Sequence, residues 1–308
     1  MDLRKQNLII TTVNIVLAII LILILARPGQ KPKEIDVRLA TIESISSLPY
    51  WIAYEKGFFG NYGIKFKPNE VSKPLDELEN TIKGGLYALF GIDYTYTIFK
   101  NAGDLGLVRV LYYTKSYGDG LIVKDTMVRI GNLNGKRIGY DDNTRYNIFL
   151  EEVLRRSGDT AVDFIGLTLD EMEGALDQGR VDAVYAVEPV LSYLESRGYK
   201  VIKREVIFTK DIPIIQGMGI TSAVNISLRK DAVKRIKGAL KDAVEYLKSN
   251  PEEARDILKN RLGLKLKNSL EVVIPENIED FKKMNEYLIS KKLVPYSSIK
   301  VENILSEK

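Results

Sequence analysis

The 308-residue sequence contains no histidine and no cysteine. The absence of histidine excludes Ser-His-Asp and Cys-His catalysis, histidine-ligated zinc or iron, and a proton shuttle that uses an imidazole. The absence of cysteine excludes disulfides, thiol chemistry, cysteine metal sites and a lipid-modified N-terminal cysteine. We therefore expect neither a cofactor nor a bound metal ion.

A large charge of one sign is also missing. The formal net charge is +4, and the first 34 residues carry +3 of it, so the rest of the chain is close to neutral. So small an excess gives no electrostatic field that would attract nucleic acid. We expect no nucleic-acid partner.

The segment 8–26 is mostly apolar and long enough to cross the hydrocarbon core of a bilayer as one helix. A cleaved signal peptide is the alternative, since Arg4 and Lys5 precede this run and Ala26 could precede a cleavage site. The run is long for a signal peptide, and Ile24 is not the small residue that cleavage prefers. We therefore predict a cytoplasmic tail at 1–7, a retained transmembrane anchor at 8–26 and a linker at 27–34.

Strands and helices alternate beyond the linker, which predicts an α/β fold. Apolar or alternating runs predict strands at 35–40, 86–91, 107–113, 137–140 and 183–187. Proline starts, glycine stops and helical spacing of apolar residues predict helices at 49–57, 74–83, 170–179 and 278–292. From residue 230 onward the pattern is helical, and Asn250-Pro251 divides it into two helices.

Three groups of residues carry a family resemblance. They are Pro49, Ala53, Lys56-Gly57-Phe58-Phe59 and Tyr62-Gly63-Ile64 in the first, Leu133-Asn134-Gly135-Lys136-Arg137-Ile138-Gly139 in the second, and Gly179-Arg180-Val181-Asp182-Ala183 with Glu188-Pro189 in the third. In this order they resemble the solute-binding proteins of ABC importers for sulfonates, nitrate, taurine and thiamine-pyrimidine precursors.

The resemblance implies a two-lobed periplasmic-binding-protein-like fold of type II. Lobe 1 would comprise 35–113 plus 219–308, and lobe 2 would comprise 114–218. The implied function is the membrane-anchored, extracytoplasmic, monomeric component that captures a small organic or oxyanionic solute for an ABC permease and its ATPase subunit. No catalytic residue is implied.

Open α/β sheets bind ligands in the loops at the carboxyl ends of their strands, and four such loops carry suitable groups. The predicted ligand-binding residues are Ser46, Ser47, Tyr50, Trp51, Asp93, Tyr94, Thr95, Tyr117, Asn143, Thr144, Arg145 and Glu188. Thr144 and Arg145, with free N–H groups nearby, suit a sulfonate, phosphate or carboxylate. The aromatic rings suit a planar ligand. Alternatively, Asp142 or Asn143 caps a helix, Glu188 stabilises the first turn of a helix, Arg145 is a surface residue, and most of the rings fill the core or cover the lobe surface.

Two other functions remain open. An enzyme on the same scaffold would need a carboxylate pair such as Asp93 and Glu188 for acid and base catalysis. The chain could also be the ligand-sensing subunit of a receptor, which would require a signalling partner. The thiamine-pyrimidine synthases of this fold consume an active-site histidine, and this chain has none.

Overall fold

The computed structural model describes residues 32–71, 73–124, 128–129, 131–264 and 270–305, together with Asn14 and Leu17. The chain divides into two compact units, Met1–Glu34 and Ile35–Lys308. The predicted tail, the predicted anchor apart from Asn14 and Leu17, and most of the predicted linker lie outside the described residues. No helix within the described part has the length and apolar character needed to cross a bilayer.

The second unit contains two mixed β-sheets. The strands of the first sheet are β2 (Leu39–Ile42), β4 (Glu70–Val71), β5 (Ala88–Asp93), β6 (Val108–Ser116), β12 (Ile214–Ser222) and β13 (Glu271–Val273). Their spatial order is β13-β6-β12-β5-β2-β4. Strand β2 runs parallel to β4 and β5, whereas β12 runs antiparallel to β5 and β6.

The second sheet is built from the part of the chain that lies between β6 and β12. Its strands are β7 (Asp119–Val123), β8 (Arg137–Asp141), β9 (Asp163–Leu167), β10 (Ala183–Val187) and β11 (Lys200–Arg204). Their order is β11-β7-β10-β8-β9. The predicted lobe boundaries, 113/114 and 218/219, fall inside β6 and β12, which continue without a break across them.

Helices connect and cover these strands. They are α1 (Leu48–Glu55), α2 (Phe58–Asn61), α3 (Pro74–Ile82), α4 (Tyr94–Lys100), α5 (Tyr146–Arg156), α6 (Glu171–Asp177), α7 (Val190–Ser196), α8 (Ala223–Leu228), α9 (Lys230–Ser249), α10 (Pro251–Leu262) and α11 (Glu279–Ser290). A 3-10 turn, Ile45–Ser47, leads into α1. The predicted alternation of strands and helices is confirmed, and so is the division of the C-terminal helices at Asn250.

The predicted strand at 35–40 is wrong in one respect, because the chain forms two short strands there. Strand β1 (Ile35–Asp36) pairs with β3 (Ile64–Lys65) in a separate two-stranded sheet, and β2 then pairs with β5 in the first sheet. The change of pairing partner falls at Val37 and Arg38, where the strand breaks. The alternation of apolar residues is the same on both sides of this break and does not reveal it.

Apolar spacing explains how the helices attach. Helix α9 buries eight residues, among them Val233, Ile236, Leu240 and Leu247, on one side, and this side packs against α1 and α2. Intervals of three and four residues place side chains on one helical face, so this packing follows directly from the sequence.

Candidate functional site

A cavity of about 50 Å³ lies between the two sheets. Its polar lining consists of Ser44, Ser46, Asp93, Asp141, Asn143, Thr144, Tyr146, Tyr185 and Gln216. Its apolar lining comes mainly from Ile45, Leu169, Met172, Val187 and Val190. Since Ser44 follows β2, Asp93 ends β5 and Asp141 ends β8, the cavity occupies the place where open α/β sheets bind ligands.

The hydroxyl wall of the cavity comes from the turn after β2. Ser44 Oγ donates to the carbonyl of Gly91 at 3.1 Å, and the hydroxyls of Ser46 and Thr114 lie 2.6 Å apart. Gly91 has a φ of 82°, and a Cβ at this position would lie 2.6 Å from Ser44 Oγ and collide with Ser47 Oγ. Glycine is therefore required where β5 passes beneath this turn.

Asp93 contributes a buried carboxyl group. Its side chain caps α4 by accepting from the N–H of Thr95 at 2.7 Å and of Tyr96 at 3.4 Å, and it also accepts from the Thr95 hydroxyl. Burial raises the pKa of Asp93 to about 8, and these hydrogen bonds oppose the rise. Asp93 is thus both a helix cap and a cavity residue.

Asp141 contributes a second carboxyl group from the other sheet. Its Oδ1 accepts from the Asn143 N–H at 2.9 Å, and its carbonyl accepts from the Thr144 hydroxyl at 2.7 Å. Loss of solvent raises the pKa of Asp141 to about 6. The charge of Asp141 in turn raises the pKa of Asp93 further, so the two carboxyl groups interact across the cavity.

Two polar atoms of the lining are buried without a hydrogen-bond partner among the described residues. They are the hydroxyl of Tyr146, which is 3% exposed, and Oε1 of Gln216. Leaving such an atom unsatisfied costs about 1–3 kcal/mol, so native proteins pair most buried polar atoms with a protein group or water. These two atoms can bond to a ligand without breaking any bond within the protein.

Hydrogen bonds also join the two sheets directly around the cavity. The Tyr96 hydroxyl donates to the Asp142 carbonyl at 2.8 Å, and the Arg145 N–H donates to Thr95 Oγ1 at 2.8 Å. Gln216 Nε2 donates to the Glu188 carbonyl at 2.6 Å. The walls contributed by the two sheets are therefore held in contact.

Four of the predicted ligand-binding residues line this cavity: Ser46, Asp93, Asn143 and Thr144. Ser47, Thr95 and Glu188 stand beside lining residues but bond elsewhere. Ser47 Oγ donates to the Ile42 carbonyl at 2.6 Å, and Glu188 accepts from the N–H and hydroxyl of Ser192 at 3.1 and 2.9 Å. Glu188 thus has the alternative role, since it stabilises the first turn of α7, whereas the Ser47 side chain forms no cap hydrogen bond with α1.

Three of the aromatic residues that were predicted to bind the ligand are core residues outside the cavity: Tyr50, Trp51 and Tyr94. Tyr50 stacks on Phe90, and the Tyr94 hydroxyl donates to Asn285 Oδ1 at 3.0 Å. Tyr50 thus faces the first sheet, whereas Tyr94 faces α11, where its ring also contacts Phe281.

Tyr117 and Arg145 also lie outside the cavity lining. Tyr117 is 43% exposed. The Arg145 guanidinium lies 4.5 Å from the centre of the Tyr96 ring, a cation–π contact that holds it beside the cavity and not in its wall.

Sequence reasoning missed several lining residues, among them Ser44, Asp141, Tyr146 and Gln216. The first three adjoin predicted residues in the same loops, which was the available signal. Gln216 lies in β12 between Ile215 and Gly217, and nothing in that apolar run distinguishes a binding residue.

A model of the family described as NMT1/THI5 like matches residues 44–254, which include every lining residue of the cavity. No curated protein sequence matches the chain.

Solved structures similar to this one include binding proteins and an enzyme. The periplasmic aliphatic sulphonate-binding protein of Escherichia coli has a TM-score of 0.63 at 16% identity, over 89% of this chain and 97% of that chain. The alkanesulfonate-binding protein of Xanthomonas axonopodis pv. citri, bound to MOPS, has a TM-score of 0.62 at 16% identity, over 87% and 96%. The desulfurization enzyme DszB has a TM-score of 0.58 at 14% identity, over 89% and 96%.

At these identities the similarity shows the fold, and it confirms the predicted periplasmic-binding-protein-like architecture. The family match, which covers more than half of the chain, also confirms the resemblance in the sequence motifs. The chain belongs to the NMT1/THI5-like family.

Proposed function

We propose that this protein is the solute-binding component of an ABC importer and that the cavity between its two sheets is the solute site. One observation carries the proposal: the unpartnered Tyr146 hydroxyl and Gln216 Oε1 line a single cavity but belong to elements on opposite sides of it. Tyr146 begins α5 after β8, and Gln216 belongs to β12. A ligand that bonds to both atoms links the two sheets.

The mechanism requires two lobes that separate and close, with lobe 1 at 35–113 plus 219–308 and lobe 2 at 114–218. A ligand that contacts both lobes has a higher affinity for the closed form, and only this difference in affinity drives closure. The direct hydrogen bonds from Arg145 to Thr95 and from Tyr96 to Asp142 add to the stability of the closed form. No covalent chemistry is needed.

The wider setting is part of the same proposal. A single transmembrane helix at 8–26 would hold the binding unit, as a monomer, at the outer surface of the cell membrane. There it would deliver the solute to a permease with an ATPase subunit. The binding proteins of the same fold from Escherichia coli and Xanthomonas axonopodis support the transport role.

An enzyme is the second candidate, because the fold also carries the desulfurization enzyme DszB. The carboxyl pair of this cavity is Asp93 and Asp141, and Glu188 does not line it. Burial raises the pKa of both groups toward neutrality, which suits acid and base catalysis. Chemical conversion of a bound solute by the purified chain would decide for this candidate.

The test uses the full chain in detergent and a panel of thiamine-pyrimidine compounds, alkyl sulfonates, taurine and nitrate. We expect at least one compound to raise the thermal midpoint saturably, because binding to the native form stabilises it by mass action. Mass spectrometry of the small molecules released on denaturation would identify a co-purified solute. If no panel compound binds and no molecule is released, the proposal is wrong.

The variant Tyr146→Phe tests the location of the site. It removes a buried hydroxyl that has no partner within the described protein, so we expect the stability without ligand to be unchanged or slightly higher. The affinity for the solute should fall about fivefold, for one lost hydrogen bond of about 1 kcal/mol. Tyr54→Phe is the matched control, since Tyr54 is 42% exposed and does not line the cavity. Equal affinities for the two variants would place the solute elsewhere.

A further inference from the structure

The described lining of the cavity has two acidic groups and no basic one. Asp93 and Asp141 contribute carboxyl groups, whereas no lysine or arginine occurs among the described residues that line it. The nearby guanidinium of Arg145 lies on the Tyr96 ring, outside the lining. An anion in this cavity would face two acidic groups without a compensating cation.

Four backbone donors that would suit an oxyanion are already used. At the start of α5, the N–H groups of Asn143, Thr144 and Arg145 donate to Asp141 Oδ1, the Asp141 carbonyl and Thr95 Oγ1. At the start of α1, the N–H of Ser47 donates to the Ser44 carbonyl. These four N–H groups at the two helix starts are therefore occupied by bonds within the chain.

Acceptors, in contrast, are available. In the part of the chain that the structure describes, the buried Oε1 of Gln216 accepts no hydrogen bond, and the Tyr146 hydroxyl, which can donate or accept, has no partner. Asp141 uses Oδ1 for the Asn143 N–H, and its hydrogen bonds among the described residues leave Oδ2 without a donor. A ligand rich in N–H groups would satisfy these atoms.

The cavity has room for a small chemical group. Its volume of about 50 Å³ exceeds the roughly 10–15 Å³ that a single water needs, so a group of several atoms fits. An amidinium or guanidinium group is such a group, and its planar N–H donors match carboxylate oxygens. The apolar side chains of Met172 and Val190 would face its carbon substituent.

We infer that the cavity binds a small organic cation, or the amine, amidinium or guanidinium group of a larger solute, with Asp141 and Asp93 as acceptors, and that it rejects oxyanions of the same size. The inference rests on the proposed solute-binding function and narrows its ligand class. It runs against the sulfonate ligands of the structurally similar binding proteins.

The experiment compares three ligands of nearly the same shape, acetamidinium, acetamide and acetate, which differ in charge. Each is titrated calorimetrically into the full chain in detergent at constant ionic strength. We expect acetamidinium to bind at least tenfold more tightly than acetate, with acetamide between them. This ranking needs no variant, so it tests the inference even if a substitution prevents folding.

Two variants locate the effect. Asp141→Asn removes one cavity charge and should lower the affinity for acetamidinium about tenfold while changing that for acetamide less than threefold. Asp163→Asn is the matched control, because it removes the same charge from an exposed residue at the start of β9 that does not line the cavity, and it should leave both affinities unchanged.

Acetate that binds as tightly as acetamidinium would overturn the inference, as would an Asp141→Asn variant with unchanged affinity for the cation. The absence of binding by all three ligands would overturn it as well. In each case the solute-binding proposal is judged separately, by the co-purified molecule and the wider panel.

Discussion

Asp119 is the most heavily bonded buried carboxyl group of the second sheet that the structure describes, and replacing it should strongly destabilise the protein. It lies where the chain enters β7 and is fully buried. It accepts from the N–H groups of Val206, Ile207 and Phe208 at 3.0, 2.7 and 3.3 Å, and from the Tyr185 hydroxyl at 2.8 Å. The carboxyl group thereby fixes two parts of the protein. One is the segment 206–208, which follows the last strand of the second sheet, and the other is Tyr185, which lines the cavity.

The variant Asp119→Ala leaves three backbone donors and one hydroxyl without their acceptor. Each buried unsatisfied donor costs about 1–3 kcal/mol, and the losses overlap because the segment can shift toward water. We expect the free energy of unfolding to fall by about 3–5 kcal/mol, measured by urea denaturation of the full chain with circular dichroism. Tyr185→Phe removes one of the four bonds and should cost about 1 kcal/mol.

Asp163→Ala is the control for the loss of a carboxylate, since Asp163 is exposed at the start of β9. It should change the free energy of unfolding by less than about 0.5 kcal/mol. A loss below about 1 kcal/mol for Asp119→Ala would show that these hydrogen bonds do not hold the exit from the second sheet, and the reasoning would be wrong.

Two further predictions concern the walls of the cavity. Gly91→Ala should lower the free energy of unfolding by about 2–4 kcal/mol, because the new side chain would both have a left-handed φ and collide with the Ser47 hydroxyl. Gly135→Ala is the control: its φ is 74° but the space around it is open, so it should cost only about 1–2 kcal/mol. Equal losses for the two variants in urea denaturation would contradict the steric argument. The free energy of unfolding should also fall as the pH rises from about 5 to about 8. In the folded state Asp93 and Asp141 have pKa values of about 8 and 6, so they keep their protons in this range, whereas the unfolded chain loses the same protons above a pH of about 4. No histidine titrates in this range, so Asp93→Asn should flatten the profile above pH 6, and a wild-type profile that rises with pH would refute the assignment.

The sequence located the cavity better than it located the individual side chains. Ser46, Asp93 and Thr144 were predicted because polar residues at the ends of parallel strands meet at one edge of a sheet. The rule needs only the positions at which buried strands end, and a mostly apolar run such as Ala88–Asp93 indicates such a strand and its end.

The direction of each side chain was not predictable in the same way. Ser47 and Arg145 each adjoin a lining residue, but one step along a helical turn rotates a side chain by about 100°. To predict which of two neighbouring residues faces the cavity, the first residue of the helix would have to be known without error. Gln216 was not predicted for another reason: its strand reaches the cavity only because it pairs with β5 and β6, which are far away in sequence.

The pairing of β6 with β12 has a consequence for the way the chain folds. These strands pair from Val108 with Ser222 to Ser116 with Ile214, and the whole second sheet lies between them in sequence. Contacts of such long range form slowly, because a long loop must close before they are gained. Until β12 arrives during synthesis, β5 has a free edge, although all six of its residues are buried in the finished fold. An apolar strand with a free edge pairs readily with other chains. The segment that supplies Gly91 and Asp93 to the cavity is thus also an aggregation hazard of the nascent protein.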